Sequence, residues 1–223
     1  MTSTPGTRPG NRPGPKPRLT RDEIVDAAVE VGVERLSVAA VAARLGVAPG
    51  TLYRYVDGLE EIAAAAVAAI FARTPLPDAG RGWRPFLEDE AELVFALMLR
   101  YSGLVRDNRA DLMPVAGDRL RRIVGVLADA GFEPTPAARV ADAVLDIVAD
   151  GVNQTMWVRG EAGPGGISAE AREYLHALPP EVHAEVTAMM TDPWAHVRDK
   201  VALVLDGVEF RRDAGRPGWS GIG

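Results

Sequence analysis

The sequence predicts an all-α protein in which a small N-terminal helical domain precedes a larger helical domain. Hydrophobic residues recur three and four positions apart along most of the chain, which is the period of amphipathic helices. No segment alternates hydrophobic and polar residues over the length of a strand. A cluster of proline and glycine over residues 74–82 interrupts the helical pattern and marks the boundary between the two domains.

The composition of the 223 residues excludes several classes of protein. Hydrophobic residues make up 47% and charged residues 25%, which is close to the average of soluble globular proteins. There is no cysteine, so disulfide scaffolds, thiolate metal sites and cysteine nucleophiles are excluded. The longest hydrophobic run, residues 62–72, is too short to cross a bilayer, and no secretory signal is recognisable. We therefore expect a soluble, cytoplasmic protein without a membrane partner.

Positive charge is concentrated at the N-terminus, although the whole chain has a formal net charge of −6. Residues 1–21 hold five basic residues and no acidic one, which leaves 20 basic and 31 acidic residues in the remainder. The five are Arg8, Arg12, Lys16, Arg18 and Arg21. Eight of the first 17 residues are proline or glycine, which predicts a disordered or polyproline-like basic arm over residues 1–17.

Capping residues delimit the first two helices. Thr20 is suited to cap a first helix that ends near Gly32, and Ser37 to cap a second helix of about two turns that Gly46 ends. The hydrophobic face of the first helix holds Ile24, Ala27, Ala28 and Val31. That of the second holds Val38, Val41, Ala42 and Leu45.

Two further helices complete the N-terminal domain. Pro49 suits the first turn of a third helix that runs through Val56, and an alanine-rich fourth helix follows over Leu59–Arg73. Beyond the boundary the pattern predicts helices over residues 83–107, 116–130, 136–159, parts of 169–191, and 193–212.

Two short helices joined by a tight glycine turn, behind a longer helix and a basic arm, are typical of a helix-turn-helix. On the third helix, Leu52 and Val56 point to one side and would hold it against its neighbour. Its other side chains can donate to phosphates and base edges; these are Thr51, Tyr53, Arg54 and Tyr55. Arg54 is the one arginine on this helix and suits a bidentate contact with guanine. The sequence therefore predicts DNA binding.

The stretch 36–56 resembles the DNA-binding signature of the tetracycline repressor family. It combines Leu45-Gly46-Val47 with Thr51-Leu52-Tyr53 and the Tyr55-Val56 ending, and the resemblance extends over residues 19–62. It implies that Thr51 and Tyr53 hold phosphates, that Arg54 faces bases, and that Pro49 and Gly50 lie against the groove. The predicted DNA-binding residues are Arg18, Ser37, Pro49, Gly50, Thr51, Tyr53, Arg54 and Tyr55.

Three positions depart from this family pattern. Ala39 and Ala40 stand in helix 2 where relatives often have basic residues, and Leu59 stands where the family usually has a lysine that contacts a phosphate. Because these charges are missing, we expect the basic arm to supply electrostatic affinity for DNA.

The resemblance of the C-terminal two-thirds to the family's ligand-binding and dimerisation domain is looser. It depends on the helix lengths and on residues 199–210, which look like a terminal dimer helix. The chain is thus expected to comprise the arm (1–17), a helix-turn-helix domain with linking helix 4 (18–73), and a ligand-binding and dimerisation domain (74–223).

Aromatic, thioether and polar residues of the larger domain are candidates for a small-molecule pocket. They are Phe86, Met98, Tyr101, Met113, Asn153, Met156 and Trp157. Each alone is also typical of an ordinary core.

Two stripes are candidates for a two-fold interface of four helices. One comprises Val197, Val201, Val204 and Val208; the other comprises Val140, Val144, Ile147, Gly151 and Thr155. The alternative is that the stripes face the core of a single chain.

Evidence for a metal site or a catalytic site is weak. His176, His183 and His196 are unpaired at helical spacing, so we predict no metal site. The acids of the pairs Glu60/Glu61 and Glu88/Glu90 are expected on polar helix faces. Nothing combines a nucleophile with a base, so we predict neither an enzyme nor a cofactor.

The sequence as a whole predicts a homodimeric transcriptional repressor that a small molecule releases from a palindromic operator in double-stranded DNA. The alternative is a helical small-molecule-binding or enzymatic protein whose first domain only packs.

Overall fold

The computed structural model describes residues 19–214, and every regular element in this range is helical. The predicted arm and Arg18 lie outside these residues. The all-α prediction is confirmed. The chain divides into two compact units between Ile62 and Ala63, inside helix α4 (Leu59–Arg73). The predicted boundary, after residue 73, follows the end of the same helix.

The first unit contains α1 (Arg21–Val31), α2 (Val38–Leu45) and α3 (Pro49–Leu52). Both predicted N-caps form: the Thr20 hydroxyl accepts from the Glu23 amide at 3.2 Å, and the Ser37 hydroxyl accepts from the Ala40 amide at 3.1 Å. Helix α3 is shorter than predicted: it ends at Leu52 instead of Val56, and the chain continues in turns.

Up to residue 214, the second unit contains seven further helices. They are α5 (Trp83–Arg100), α6 (Ser102–Asp107), α7 (Arg109–Asp129), α8 (Pro134–Arg159), α9 (Ala169–His176), α10 (Pro180–Thr191) and α11 (Pro193–Asp213). The single helix predicted over residues 83–107 is broken at Tyr101, whose φ of −110° and ψ of 23° are not helical. Helix α7 begins earlier than predicted and includes Pro114.

Helix α8 lies at the centre of the second unit and packs against α5, α7 and α11. Its contact with α11 depends on Gly151. A Cβ atom at this position would lie 2.1 Å from Cγ2 of Val197, which is far inside van der Waals contact. The glycine therefore allows the backbone of α8 to approach α11 more closely than any other residue would.

The two predicted stripes lie mainly in this core. The buried members are Val140, Val144, Gly151, Thr155, Val197, Val201 and Val208. Val204 and Ile147 are only partly buried. The seven buried members pack within one chain, so the prediction that they form a dimer interface is wrong. A spacing of three and four marks a buried face of a helix but does not identify what covers it.

An ion pair is buried in the second unit between α5 and α7. Nε and Nη2 of Arg119 donate to the two carboxylate oxygens of Glu90 at 2.5 and 2.8 Å, and Nη1 donates to the carbonyl of Thr74 at 3.0 Å. Both side chains are almost inaccessible to water. Burial raises the pKa of Glu90, while the hydrogen bonds from Arg119 oppose that rise. The expectation that Glu90 lies on a polar helix face is wrong.

None of the helices in residues 19–214 combines the length and the hydrophobicity that a membrane span requires.

Candidate nucleic-acid interface

A tight turn fixes the angle between α2 and α3. Gly46 adopts the left-handed conformation, with φ of 66° and ψ of 31°, and the Val47 amide donates to the carbonyl of Ala42 at 3.0 Å. Pro49 then occupies the first turn of α3. These local signals place the short α3 immediately after α2, as a helix-turn-helix requires.

Helix α3 and the turn after it have one buried and one exposed side. Leu52 and Val56 are buried in the first unit, whereas Tyr53 is 59% exposed and Arg54 is exposed beside it. Pro49 and Gly50 are exposed at the start of the helix, and Thr51 and Tyr55 are partly buried. The structure thus holds the predicted DNA-binding residues of this segment on a short, anchored element with an accessible side.

The guanidinium of Arg54 has no carboxylate within ion-pair distance among residues 19–62. In the same unit, Arg21 pairs with Glu61 and Arg44 pairs with Glu30. Arg54 therefore keeps its fork of N–H donors available for a base edge or a phosphate.

The hydroxyl of Ser37 can take part in two hydrogen bonds at the start of α2. Its hydroxyl oxygen caps the helix by accepting from the Ala40 amide, and its hydroxyl hydrogen remains available to a phosphate oxygen. The role of Ser37 as a DNA contact stays a prediction, and Arg18 lies outside the described residues.

Glu61 is a residue of this region that the sequence pattern did not assign to the interface. Its Oε2 accepts from the backbone N–H of Asp57 at 2.6 Å, and its Oε1 lies 2.5 Å from Nη2 of Arg21. An acid at the third position of a helix is a known capping signal, and it could have drawn attention to Glu61. Arg21, counted with the arm from the sequence, is thereby engaged at the start of α1.

The seven predicted pocket residues of the second unit lie in different environments. Phe86 is completely buried in the core, and Met98 and Met156 pack partly buried against that core. Tyr101 is partly buried at the end of α5. The other three, Met113, Asn153 and Trp157, are exposed. That these residues bind a ligand stays a prediction.

A narrow cavity lies between α8, α10 and α11, with a volume of about 10 Å³. This is room for about one water molecule. It is lined by Gly151, Gln154, Thr155, Val158, Met189, Met190, Pro193, His196 and Val197. Burial, followed by the charge of Lys200, lowers the pKa of His196, so this imidazole is neutral at physiological pH. No set of three or more potential metal-binding side chains converges within the described part of the chain.

Comparison with known proteins places this fold in a family. Residues 22–66 match the family model described as "Bacterial regulatory proteins, tetR family". A helix-turn-helix-type transcriptional regulator of Saccharopolyspora erythraea is 30% identical over 168 residues, which cover 68% of each chain. The chain belongs to the tetR family.

Two further tetR-family relatives match over shorter regions. The transcriptional repressor DrrR1 of Streptomyces coeruleorubidus is 38% identical over 122 residues, 51% of this chain and 45% of the relative. Tetracycline repressor protein class D of Escherichia coli is 34% identical over 91 residues, 38% of this chain and 42% of the relative. The chain thus spans less than half the length of these two relatives.

Solved structures share the tetR-family fold. A possible TetR family transcriptional regulator from Streptomyces coelicolor A3(2) superposes with a TM-score of 0.55 at 21% identity, over 85% of this chain and 98% of that one. The S. coelicolor protein ActR, solved in complex with actinorhodin, gives 0.54 at 19% identity, over 85% and 94%. Regulators of this family are in general DNA-binding proteins without enzymatic activity.

Proposed function

We propose that this chain is a transcriptional repressor that binds operator DNA as a homodimer and leaves it when a small molecule binds the second unit. The observation that carries the proposal is the exposed, unpaired Arg54 in the turn after α3, a helix that the Gly46 turn and buried Leu52 hold in place, within a tetR-family fold. The names of two relatives, a repressor and a tetracycline repressor, support repression and a small-molecule signal.

Selection of bound duplexes from a random pool tests DNA recognition, and a motif with two-fold symmetry is the expected result. On the enriched duplex, Arg54→Ala should cost about 1–3 kcal/mol and relax discrimination at one base pair of each half-site. Random duplex should be bound almost as before.

Arg35→Ala is the matched control for Arg54→Ala. Arg35 is the other exposed arginine without a carboxylate partner in residues 19–62, and it lies before α2 rather than in the turn after α3. A selection that enriches no symmetric motif, or equal losses for the two variants, would contradict the proposal.

The basic arm is proposed to contribute to DNA affinity by releasing counterions from phosphates. Deletion of residues 1–17 removes Arg8, Arg12 and Lys16. Because each neutralised phosphate contributes about −0.9 to the slope of log affinity against log salt, the deletion should flatten that slope by about 1–3.

Replacement of the same three residues by glutamine is the control for the deletion, since it removes the charges and keeps the length. The two variants should behave alike in titrations at several salt concentrations. Slopes parallel to that of the intact chain would mean that the arm does not contact DNA.

The exposed face of α11 is proposed as the dimer interface in place of the valine stripes. Leu203 is 73% exposed and Phe210 is 65% exposed, with Gly207 between them on the same face of the helix. Such large hydrophobic side chains on one face are best covered by a second copy of the chain, because regulators of this family act as dimers.

The helix that carries this face is held firmly in the second unit. Arg84 of α5 donates to Asp206 at 2.7 Å and to Glu209 at 2.5 Å, and the guanidinium of Arg212 lies 4.1 Å from the ring centroid of Phe132. Phe210 therefore projects from an anchored turn rather than from a frayed helix end, which favours a defined interface.

A further inference from the structure

We propose that Glu61 is a positioning residue for DNA binding, which fixes the end of the recognition segment (residues 49–56, α3 and the turn after it) and the start of α1 without contacting DNA. This inference rests on the proposed function, because it assigns a residue that organises the same interface. It concerns contacts within residues 19–62 alone.

The two carboxylate oxygens of Glu61 have different partners on different elements. Oε2 accepts from the N–H of Asp57, the residue that follows the recognition segment, and Oε1 pairs with the guanidinium of Arg21 in the first turn of α1. Hydrogen bonds to a charged acceptor are stronger than those between neutral groups. One side chain thus joins two segments that are 36 positions apart in the sequence.

The contact with Asp57 acts on the recognition segment through the backbone. The Val56 amide donates to the carbonyl of Leu52 at 3.2 Å, and both side chains are buried. Asp57 is the next residue, so its bond to Glu61 fixes the point at which the chain leaves the turn after α3 and approaches α4. The exposed Arg54 lies between these two anchors, which restricts the directions its backbone can take.

The contact with Arg21 compensates an unfavourable charge. A cation in the first turn of a helix opposes the helix dipole, and Arg21 occupies that position in α1. Glu61 supplies the opposite charge, and Arg21 in return neutralises an acid that would otherwise repel DNA phosphates.

Glu61→Gln tests the role of Glu61, with Glu60→Gln as the matched control. Both substitutions remove one negative charge from the same turn of α4, but Glu60 is exposed and has no hydrogen-bond or ion-pair partner in the described residues. Simple electrostatics predicts that both variants bind all DNA more tightly, since an acid has been removed near the phosphates.

If Glu61 positions the recognition segment, the two variants should differ in their affinity for DNA. Glu61→Gln should bind the duplex enriched by selection about tenfold more weakly than the wild type, while its affinity for random duplex of equal length does not fall. Glu60→Gln should bind neither duplex more weakly. Parallel behaviour of the two variants would overturn the inference and leave the proposed function intact.

Amide hydrogen exchange provides a readout that does not depend on DNA. In Glu61→Gln the Asp57 amide should exchange about tenfold faster than in the wild type, while the amides of α2 and of α1 beyond its first turn keep their rates. Uniformly faster exchange would indicate general destabilisation and would overturn the positioning role. A wild-type chain that enriches no DNA motif would overturn the proposed function, and the role assigned here would fall with it.

Discussion

Arg119→Met is expected to lower the free energy of unfolding by about 3–5 kcal/mol, because it leaves the carboxylate of Glu90 buried without its partner. It also leaves the carbonyl of Thr74 without the guanidinium N–H from which it accepts a hydrogen bond. Denaturant unfolding, monitored by circular dichroism, measures the loss. Arg121→Met is the control in the same helix, because Arg121 is exposed and its pair with Asp118 should contribute at most about 1 kcal/mol.

The loss in Arg119→Met should depend on pH. Without Arg119, burial raises the pKa of Glu90 further above its unfolded value, so the folded variant holds a proton that the unfolded chain releases more readily. Stability from such a group is present at low pH and is lost as pH rises through the folded pKa. The variant should therefore be closer in stability to the wild type in mild acid than at pH 8.

The hydrophobic double variant Glu90→Leu/Arg119→Met should recover most of the stability and lose the dependence of stability on pH. Equal losses for Arg119→Met and Arg121→Met would show that the buried pair contributes little.

Leu203→Asp is expected to convert the proposed dimer into monomers and to abolish tight operator binding. In a two-fold interface each substitution occurs twice, so two carboxylates would be buried against hydrophobic surface near the symmetry axis. Phe210→Asp should act in the same way. Light scattering coupled to gel filtration measures the mass, and titration of the selected duplex measures the affinity.

Val182→Asp is the control for the interface. Val182 is an exposed hydrophobic residue of α10, outside the proposed face, so this variant should remain dimeric and bind DNA as the wild type does. A monomeric wild type at working concentration, or a dimeric Leu203→Asp variant, would exclude the α11 face as the interface.

Features that depend on neighbouring residues were predictable from the sequence. The caps Thr20 and Ser37 and the left-handed Gly46 formed as predicted, because each is decided by hydrogen bonds or backbone preference within a few residues. That Leu52 lies on the buried side of α3 could be predicted from helical spacing in the same way. The helix-turn-helix could therefore be inferred from the order of the residues alone.

Features that depend on distant residues were not predictable. Glu90 was assigned to a polar face because nothing in its own helix reveals Arg119, which lies 29 positions later. Most members of the two stripes are buried, but their spacing is the same whether the covering helix belongs to the same chain or to a partner. Glu61 was missed because one of its two partners, Arg21, lies on another helix.

Gly151 has a consequence for attempts to engineer a more heat-stable protein. Replacing a helical glycine by alanine usually gains about 0.5–1 kcal/mol, since alanine restricts the unfolded backbone and favours the helix. At Gly151 the added methyl would collide with stiff, branched Val197, so the same exchange should cost about 1–3 kcal/mol. At exposed Gly125 of α7 nothing lies within 4 Å of the added atom. The same exchange for alanine should thus stabilise the protein at Gly125 and destabilise it at Gly151, and the difference comes from the distance to the neighbouring helix.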